Sequence, residues 1–367
     1  MLQVALGLLA LSLLAAVLAL LLETADAYLM DYGECEIDIN EGDKVLKVQG
    51  GGKLLSTLMD QGIFVPSACG GRGSCGLCKL RVLDGGGPVL PTETPYMEPE
   101  ELEKGTRLSC QVKVRNDLAL EIPPELFLIK EYRTRVVGLK DLTSTIKEVR
   151  LQMVEPAEIE FKPGQFIQFE VPEYEGCPEP VYRAYSIASS AETPGELKLC
   201  ITKVEGGLAT TYVHQYLKEG DEVTLNGPYG DFYLRDSDRE MIMIATGSGL
   251  APLMSILYQL AARGSERKVT LFFGTRAKAD LFYVDEIEGL GEKLPNFRFV
   301  PVLSDSPEEE GWEGERGIVT HAVDRMYEDC SDKEGYLCGN PLMIDSAVEL
   351  FKRKGLEEDR IYYDKFA

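Results

Sequence analysis

The sequence predicts a multidomain chain: an N-terminal transmembrane helix, a β-grasp domain, an antiparallel β-barrel, and an α/β doubly wound domain. Three observations carry this reading: an uncharged apolar stretch at the start, a glycine-rich loop studded with cysteines near residue 70, and a change of period beyond Arg239. At 367 residues there is room for two or three domains, each able to bury its own core.

Met1 to Leu22 hold no charged side chain and are mostly Leu, Ala and Val. At ~1.5 Å per residue they make about 33 Å of helix, enough to cross a bilayer. A cleaved signal peptide is the competing reading, since Ala25-Asp26-Ala27 resembles a cleavage site, but the basic n-region is missing. Residues 1–26 are therefore read as a retained single-pass anchor in the cell (inner) membrane. The flank is acidic (Glu23, Asp26, Asp31) and the first basic residue is Lys44, so charge does not set the orientation.

The cysteines do not form a disulfide framework. Cys69, Cys75, Cys78 and Cys110 fall in one region, while Cys35, Cys177, Cys200, Cys330 and Cys338 are scattered. Unpaired thiols place the soluble part in a reducing compartment, the cytoplasm. A formal charge of -23 excludes a nucleic-acid role, which needs a basic surface, and is compatible with steering a basic redox partner.

In residues 33–126, Cys35 to Asn40 alternate like a strand, Asn40-Glu41-Gly42-Asp43-Lys44 reads as a turn into Val45–Val48, and Leu54–Met59 is a short helix ending at Gly62. This is the ββα opening of a β-grasp domain. Ser67-Ala68-Cys69-Gly70-Gly71-Arg72-Gly73-Ser74-Cys75-Gly76-Leu77-Cys78 then packs four glycines between three cysteines, with Cys110 far downstream. Two irons need four thiolates converging on one point, and glycine permits the tight turns and the close approach of backbone N–H groups to sulfur. Zinc knuckles favour paired C-x-x-C, whereas this pattern is three plus one. The stretch resembles the plant-type [2Fe–2S] ferredoxin, with one extra residue in the first spacing, and Cys69, Cys75, Cys78 and Cys110 are the expected cluster ligands.

Residues 130–235 are β-rich, with strand-like runs at 131–139, 146–153, 165–171, 197–204 and 222–225, and suggest a small antiparallel barrel. Within it Arg183-Ala184-Tyr185-Ser186 is chemically coherent for a flavin. A guanidinium pairs with the diphosphate, Tyr185 lies against the ring, and Ser186 bonds near N5. Gly206-Gly207-Leu208-Ala209-Thr210-Thr211 opens a helix over Tyr212–Leu217, whose N-terminal amides meet a pyrophosphate. Gly207 and Thr210 are the expected contacts, and Asn226-Gly227-Pro228-Tyr229-Gly230 closes the barrel.

These motifs, in this order, resemble the ferredoxin–NADP reductase superfamily. With the anchor and Gly62-Ile63-Phe64-Val65-Pro66-Ser67-Ala68-Cys69-Gly70-Gly71 ahead of them, the chain resembles the family of F subunits of Na+-translocating NADH:quinone oxidoreductases. It departs in one place: between Val171 and Arg183 there is only a short Pro- and Glu-containing link, where the family pattern carries a longer insertion.

In residues 238–367, strands at 241–245, 269–273, 297–302 and 336–338 alternate with helices at 252–263, 283–288, 320–326 and 341–353, as in a doubly wound sheet. The first strand runs into Thr246-Gly247-Ser248-Gly249-Leu250-Ala251-Pro252, so Thr246, Gly247 and Gly249 are expected at the dinucleotide diphosphate. The resemblance implies that Cys338 and Gly339, in Cys338-Gly339-Asn340-Pro341, lie beside the nicotinamide C4. It also implies that Phe366, in Tyr362-Tyr363-Asp364-Lys365-Phe366-Ala367, covers the flavin and moves aside for nicotinamide. Gly274-Thr275-Arg276-Ala277-Lys278 offers some groups for the extra phosphate of NADPH, but the likeness favours NADH. His214 and His321 are the only histidines, which leaves no histidine-based metal or hydrolytic site, and His214 is read as packed or on the surface.

The expected activity is therefore electron transfer from NADH through FAD to a [2Fe–2S] cluster, and on through integral-membrane partner subunits to quinone. Ser186, Cys338 and Phe366 stand nearest the chemistry. The rival readings are the reductase component of a multicomponent oxygenase, a free-standing anchored NAD(P)H reductase, and a non-enzymatic assembly protein with degenerate sites.

Overall fold

The computed structural model describes residues 7, 11–19, 32–305 and 311–366. Residues 11–19 are helical, with exposed Leu11, Leu13, Leu14, Val17 and Leu18. The remainder of the expected anchor, 1–26, lies outside the described residues, and among the described residues no helix is long and apolar enough to cross a membrane. The described residues divide into two compact units, the first taking those up to 65 and 71–128, the second 66–70 and those from 129 on.

In the first unit, β1 (Glu34–Ile39) and β2 (Lys44–Gln49) form a hairpin, followed by α1 (Leu54–Asp60), β3 (Lys79–Asp84), α2 (Pro99–Glu103), β4 (Thr106–Leu108) and β5 (Leu118–Glu121). The hairpin turns through Asn40, Glu41 and Gly42, all at positive φ, a conformation that Asn and Gly tolerate best. The sheet order is β2-β1-β5-β3-β4, with β1 and β5 parallel. Ile37, Ile39, Leu54, Leu58, Leu108 and Leu120 fill its core. One buried ion pair organises the loop ahead of the last cysteine: Arg107 bonds Glu93 at 2.7 Å and the carbonyls of Gly86, Gly87 and Pro88 at 2.9 Å. Removing one partner of such a pair costs about 3–5 kcal/mol, because the other is left charged and enclosed.

The second unit opens with β6 (Lys130–Asp141), β7 (Ile146–Glu155), β8 (Phe166–Val171), β9 (Val181–Ser186), β10 (Glu196–Thr202), α3 (Leu208–Gln215) and β11 (Glu222–Tyr229). The strands form one antiparallel sheet in the order β10-β7-β6-β11-β8-β9. The expected barrel is a curled sheet whose edge strands are joined by a single bridge, Ile187 to Leu199. Helix α3 begins four residues ahead of the expected Tyr212, because Leu208 and Ala209 already turn onto the sheet behind Gly207.

There follow β12 (Glu240–Thr246), α4 (Leu250–Ala262), β13 (Val269–Thr275), α5 (Val284–Gly291), β14 (Phe297–Leu303), β15 (Glu315–Arg316), α6 (Val319–Met326), β16 (Lys333–Gly339), α7 (Pro341–Arg353) and β17 (Ile361–Lys365). Their sheet is parallel throughout, in the order β15-β14-β13-β12-β16-β17. Strands buried on both faces read as apolar runs, as Met241–Ala245 does with every side chain fully enclosed. The C-terminal tail is a strand, with Tyr362 opposite Tyr336 and Asp364 opposite Cys338.

Candidate functional site

Carboxyl ends of parallel strands leave a crevice where loops diverge, and here that edge is built by contact between two turns. The turn after β12 passes through Gly247 at φ +54 and Gly249. A Cβ on Gly249 would stand 2.3 Å from the Cys338 carbonyl oxygen, and one on Gly339 would stand 2.4 Å from Thr246 Oγ1. Both positions exclude a side chain, which explains the glycines in the two motifs. Thr246 Oγ1 accepts from Asn340 N–H at 3.1 Å, and the Asn340 carboxamide caps α7. Thr202 on β10 donates to Ser248 Oγ at 2.7 Å and ties this turn to the antiparallel sheet.

From that sheet, β9 presents Arg183, Tyr185 and Ser186. Arg183 is half-buried and donates to the Tyr182 carbonyl at 2.7 Å. The Tyr185 ring meets Phe169 edge-on at 6.0 Å, and its hydroxyl is buried without a hydrogen-bond partner. An orphaned buried hydroxyl costs about 1–3 kcal/mol, so the position fits a bound group that supplies the missing partner. Gly207 caps α3, where a Cβ would approach Thr210 Oγ1 to 2.6 Å. The Thr210 hydroxyl is itself engaged with Val204 and Gly207, so it shapes the loop, while the first-turn amides are left for an anion. His214 Nε2 is 3.0 Å from the Ile201 carbonyl, a packed residue.

The two sheets meet at Ser186, Cys338 and Asp364. Asp364 lies near Ser186, and burial lifts its carboxyl to about 6 against the lowering effect of the Ser186 hydroxyl. Cys338 is fully buried, and burial together with the Asp364 charge pushes its thiol up. It is thus a neutral, compact wall. Phe366 packs against the core that contains Cys338, and its N–H donates to the Gly339 carbonyl at 3.0 Å. Sequence reasoning missed Asp364. Its only signal was a carboxylate two residues before Phe366, without the pairing that brings it to Ser186.

Of the four expected cluster ligands, Cys75, Cys78 and Cys110 lie in the first unit, and Cys69 lies on the 66–70 segment that groups with the second. Cys78 and Cys110 are in hydrogen-bond contact, which with burial raises the Cys78 thiol. Gln111 Nε2 lies 3.5 Å from Cys110 Sγ. Gly71, Gly73 and Gly76 all take positive φ, and a Cβ on Gly76 would strike the Tyr96 ring at 2.9 Å. Among the described residues no three His, Cys, Asp or Glu side chains are grouped to hold a metal ion. The adjacent buried thiols and the glycine turns nevertheless suit a cluster held by thiolates.

Three family models match in succession: a 2Fe-2S iron-sulfur cluster binding domain over residues 37–115, an oxidoreductase FAD-binding domain over 133–233, and an oxidoreductase NAD-binding domain over 243–349. The chain is 36% identical to the F subunit of a Na(+)-translocating NADH-quinone reductase of Neisseria meningitidis, with 99% of each chain covered. It is also 36% identical to the protein of that name in Idiomarina loihiensis, with 97% of each covered. The alignment with the first runs to 404 positions, more than the 367 residues here, so the relative carries residues this chain lacks. Among solved structures, the Amycolatopsis cytochrome P450 reductase GcoB is 30% identical at a TM-score of 0.73, over 90% of this chain and 98% of that one. The ferredoxin reductase of carbazole 1,9a-dioxygenase is 26% identical at a TM-score of 0.70, over 91% and 99%.

Proposed function

Because the chain belongs to the family of F subunits of the Na+-translocating NADH–quinone reductases, we propose that it is the NADH-oxidising component of a membrane-bound assembly of this kind. It is an NADH-dependent oxidoreductase that carries electrons from NADH through FAD to a [2Fe–2S] cluster, and from there toward quinone by way of partner subunits. When bound, FAD takes the electron pair of a hydride and releases it one electron at a time, which is what a [2Fe–2S] cluster accepts.

The observation that carries the reading is the meeting of Ser186 from one sheet with Cys338 and Asp364 from the other. In this reading Arg183 and the start of α3 behind Gly207 hold the FAD diphosphate, Tyr185 lies against the ring, and Ser186 faces N5. Asp364 fixes the direction of the Ser186 hydroxyl and so acts as a positioning residue. Thr246, Gly247 and Gly249 receive the NADH diphosphate, while Cys338 and Gly339 leave room beside the nicotinamide. Phe366 covers the flavin face and keeps water out until nicotinamide displaces it. Cys69, Cys75, Cys78 and Cys110 hold the cluster. Residues 1–26 anchor the chain in the inner membrane, and the units 33–126, 130–235 and 238–367 work on the cytoplasmic side beside integral-membrane partner subunits.

The test is anaerobic addition of NADH to the purified chain with and without FAD, following flavin absorbance and the EPR signal of the reduced cluster. Both respond in the intact protein, and only with FAD present does the cluster respond. Equal reduction of the cluster without FAD would overturn the order of transfer. A second reading, a reductase feeding an oxygenase, is favoured by the short link between Val171 and Arg183 and by the two reductase likenesses. Deleting residues 1–30 and finding the native chain's fractionation unchanged would favour it.

A further inference from the structure

The flavin reading gives β9 a direction. Ser186 and Tyr185 lie at the flavin ring and Arg183 at the diphosphate, with about 3.3 Å of rise per residue between them. Continuing the same way, past Val181, the chain enters the loop 172–180, so the adenosine half of FAD must lie against that loop. This is the stretch where the chain departs from the family pattern, and the family's contacts there do not carry over.

The loop is built to hold one ring still. Tyr174 and Cys177 exchange backbone hydrogen bonds of 3.0 and 2.8 Å around Gly176, which takes φ +97. Cys177 is buried and its thiol reaches the Glu179 carbonyl at 3.2 Å. The Tyr174 hydroxyl donates to the Leu208 carbonyl at 2.7 Å, at the start of α3, the other wall of the diphosphate site. Its ring stands 4.9 Å from that of Tyr216 and 5.6 Å from that of Tyr212. Tyr216 is 39% exposed and Tyr174 is partly exposed, so the cluster offers aromatic surface to solvent next to the diphosphate.

We propose that Tyr174, backed by Tyr216, is the platform on which the adenine of FAD stacks. A purine gains from an aromatic face without any hydrogen-bond pattern, and a ring already fixed by its loop loses little freedom when the base arrives. The inference rests on the flavin reading above, and FMN separates the two, since it shares the ring and first phosphate but has no adenine.

The experiment measures equilibrium dissociation constants of FAD and of FMN for the deflavinated full-length chain and for Tyr174→Ala, Tyr174→Phe and Tyr216→Ala. Base stacking on an aromatic ring corresponds to roughly 5- to 150-fold in affinity. FAD should weaken within that range in Tyr174→Ala and by less in Tyr216→Ala, while Tyr174→Phe stays close to the parent. FMN binding should be the same in all four proteins, which also shows that the variants fold. If Tyr174→Phe loses as much as Tyr174→Ala, the hydroxyl bond matters and stacking does not. Equal affinity of the parent for FAD and FMN also overturns the proposal while sparing the flavin site. If neither flavin binds, the flavin reading itself falls.

Discussion

Asp364 is the residue whose perturbation tests the site most directly. Its carboxyl holds a proton to about 6 in the folded chain against an ordinary 3.8, because the two sheets enclose it. Between those values the folded chain binds more protons than the unfolded one, so this group's stabilising contribution is intact below about 3.8 and lost as pH rises through 6. A displacement of about two pH units corresponds to about 3 kcal/mol, an upper bound because the residue keeps some exposure. Asp364→Asn carries no charge to enclose and keeps a carbonyl oxygen beside Ser186. It should therefore be more stable than the parent at about pH 7.5 by up to that amount, with the advantage falling to roughly half at about pH 5. Urea unfolding of the full-length apoprotein at both pH values, fitted to the transition of the second unit, reads the difference. The rate of flavin reduction by NADH should bend near pH 6 in the parent and lose that bend in the variant. A variant that is less stable at both pH values, or whose advantage does not change with pH, would show that the carboxyl is not an enclosed acid, and the positioning role would go with it.

Four further outcomes follow from the same geometry. Gly249→Ala, whose Cβ would stand 2.3 Å from the Cys338 carbonyl, should abolish flavin reduction by NADH while chemical reduction of the flavin proceeds normally. Cys78→Ala should remove the visible bands and EPR signal of the cluster and leave FAD bound, since the two units have separate cores; an intact [2Fe–2S] spectrum would refute the ligand assignment. Arg183→Ala should weaken FAD retention by roughly 10- to 150-fold, the range of a charge-assisted contact worth about 1.5–3 kcal/mol, as read by dialysis. Phe366→Ala should bind NAD+ more tightly and discriminate less against NADPH, because displacing the ring no longer opposes nicotinamide binding. NAD+ affinity together with the NADH to NADPH ratio of kcat/KM reports both.

The sequence by itself determined the three cofactor units, because their signals are local. Cysteine spacing, glycines at turns that need positive φ, and the change from strand runs to alternating strands and helices are all written within short windows. Gly76, Gly247 and Gly249 could be picked out because they sit in short glycine-rich turns between regular elements, and the contacts around Gly76 and Gly249 leave a side chain nowhere to go. Only the tertiary structure decided what the two sheets of the second unit do where they meet. Asp364 becomes a partner of Ser186, 178 positions earlier, through the parallel register of β17 on β16 and the bond between Thr202 and Ser248. Thr210, expected as a cofactor contact, uses its hydroxyl to close its own loop. Tyr174 meets Tyr212 and Tyr216 only because a nine-residue loop folds back on the start of α3. The physical reason is the same in each case. Spacing along a chain records which backbone conformations are allowed locally, whereas the neighbours of a side chain are set by strand register and sheet closure, which depend on every residue of the core at once.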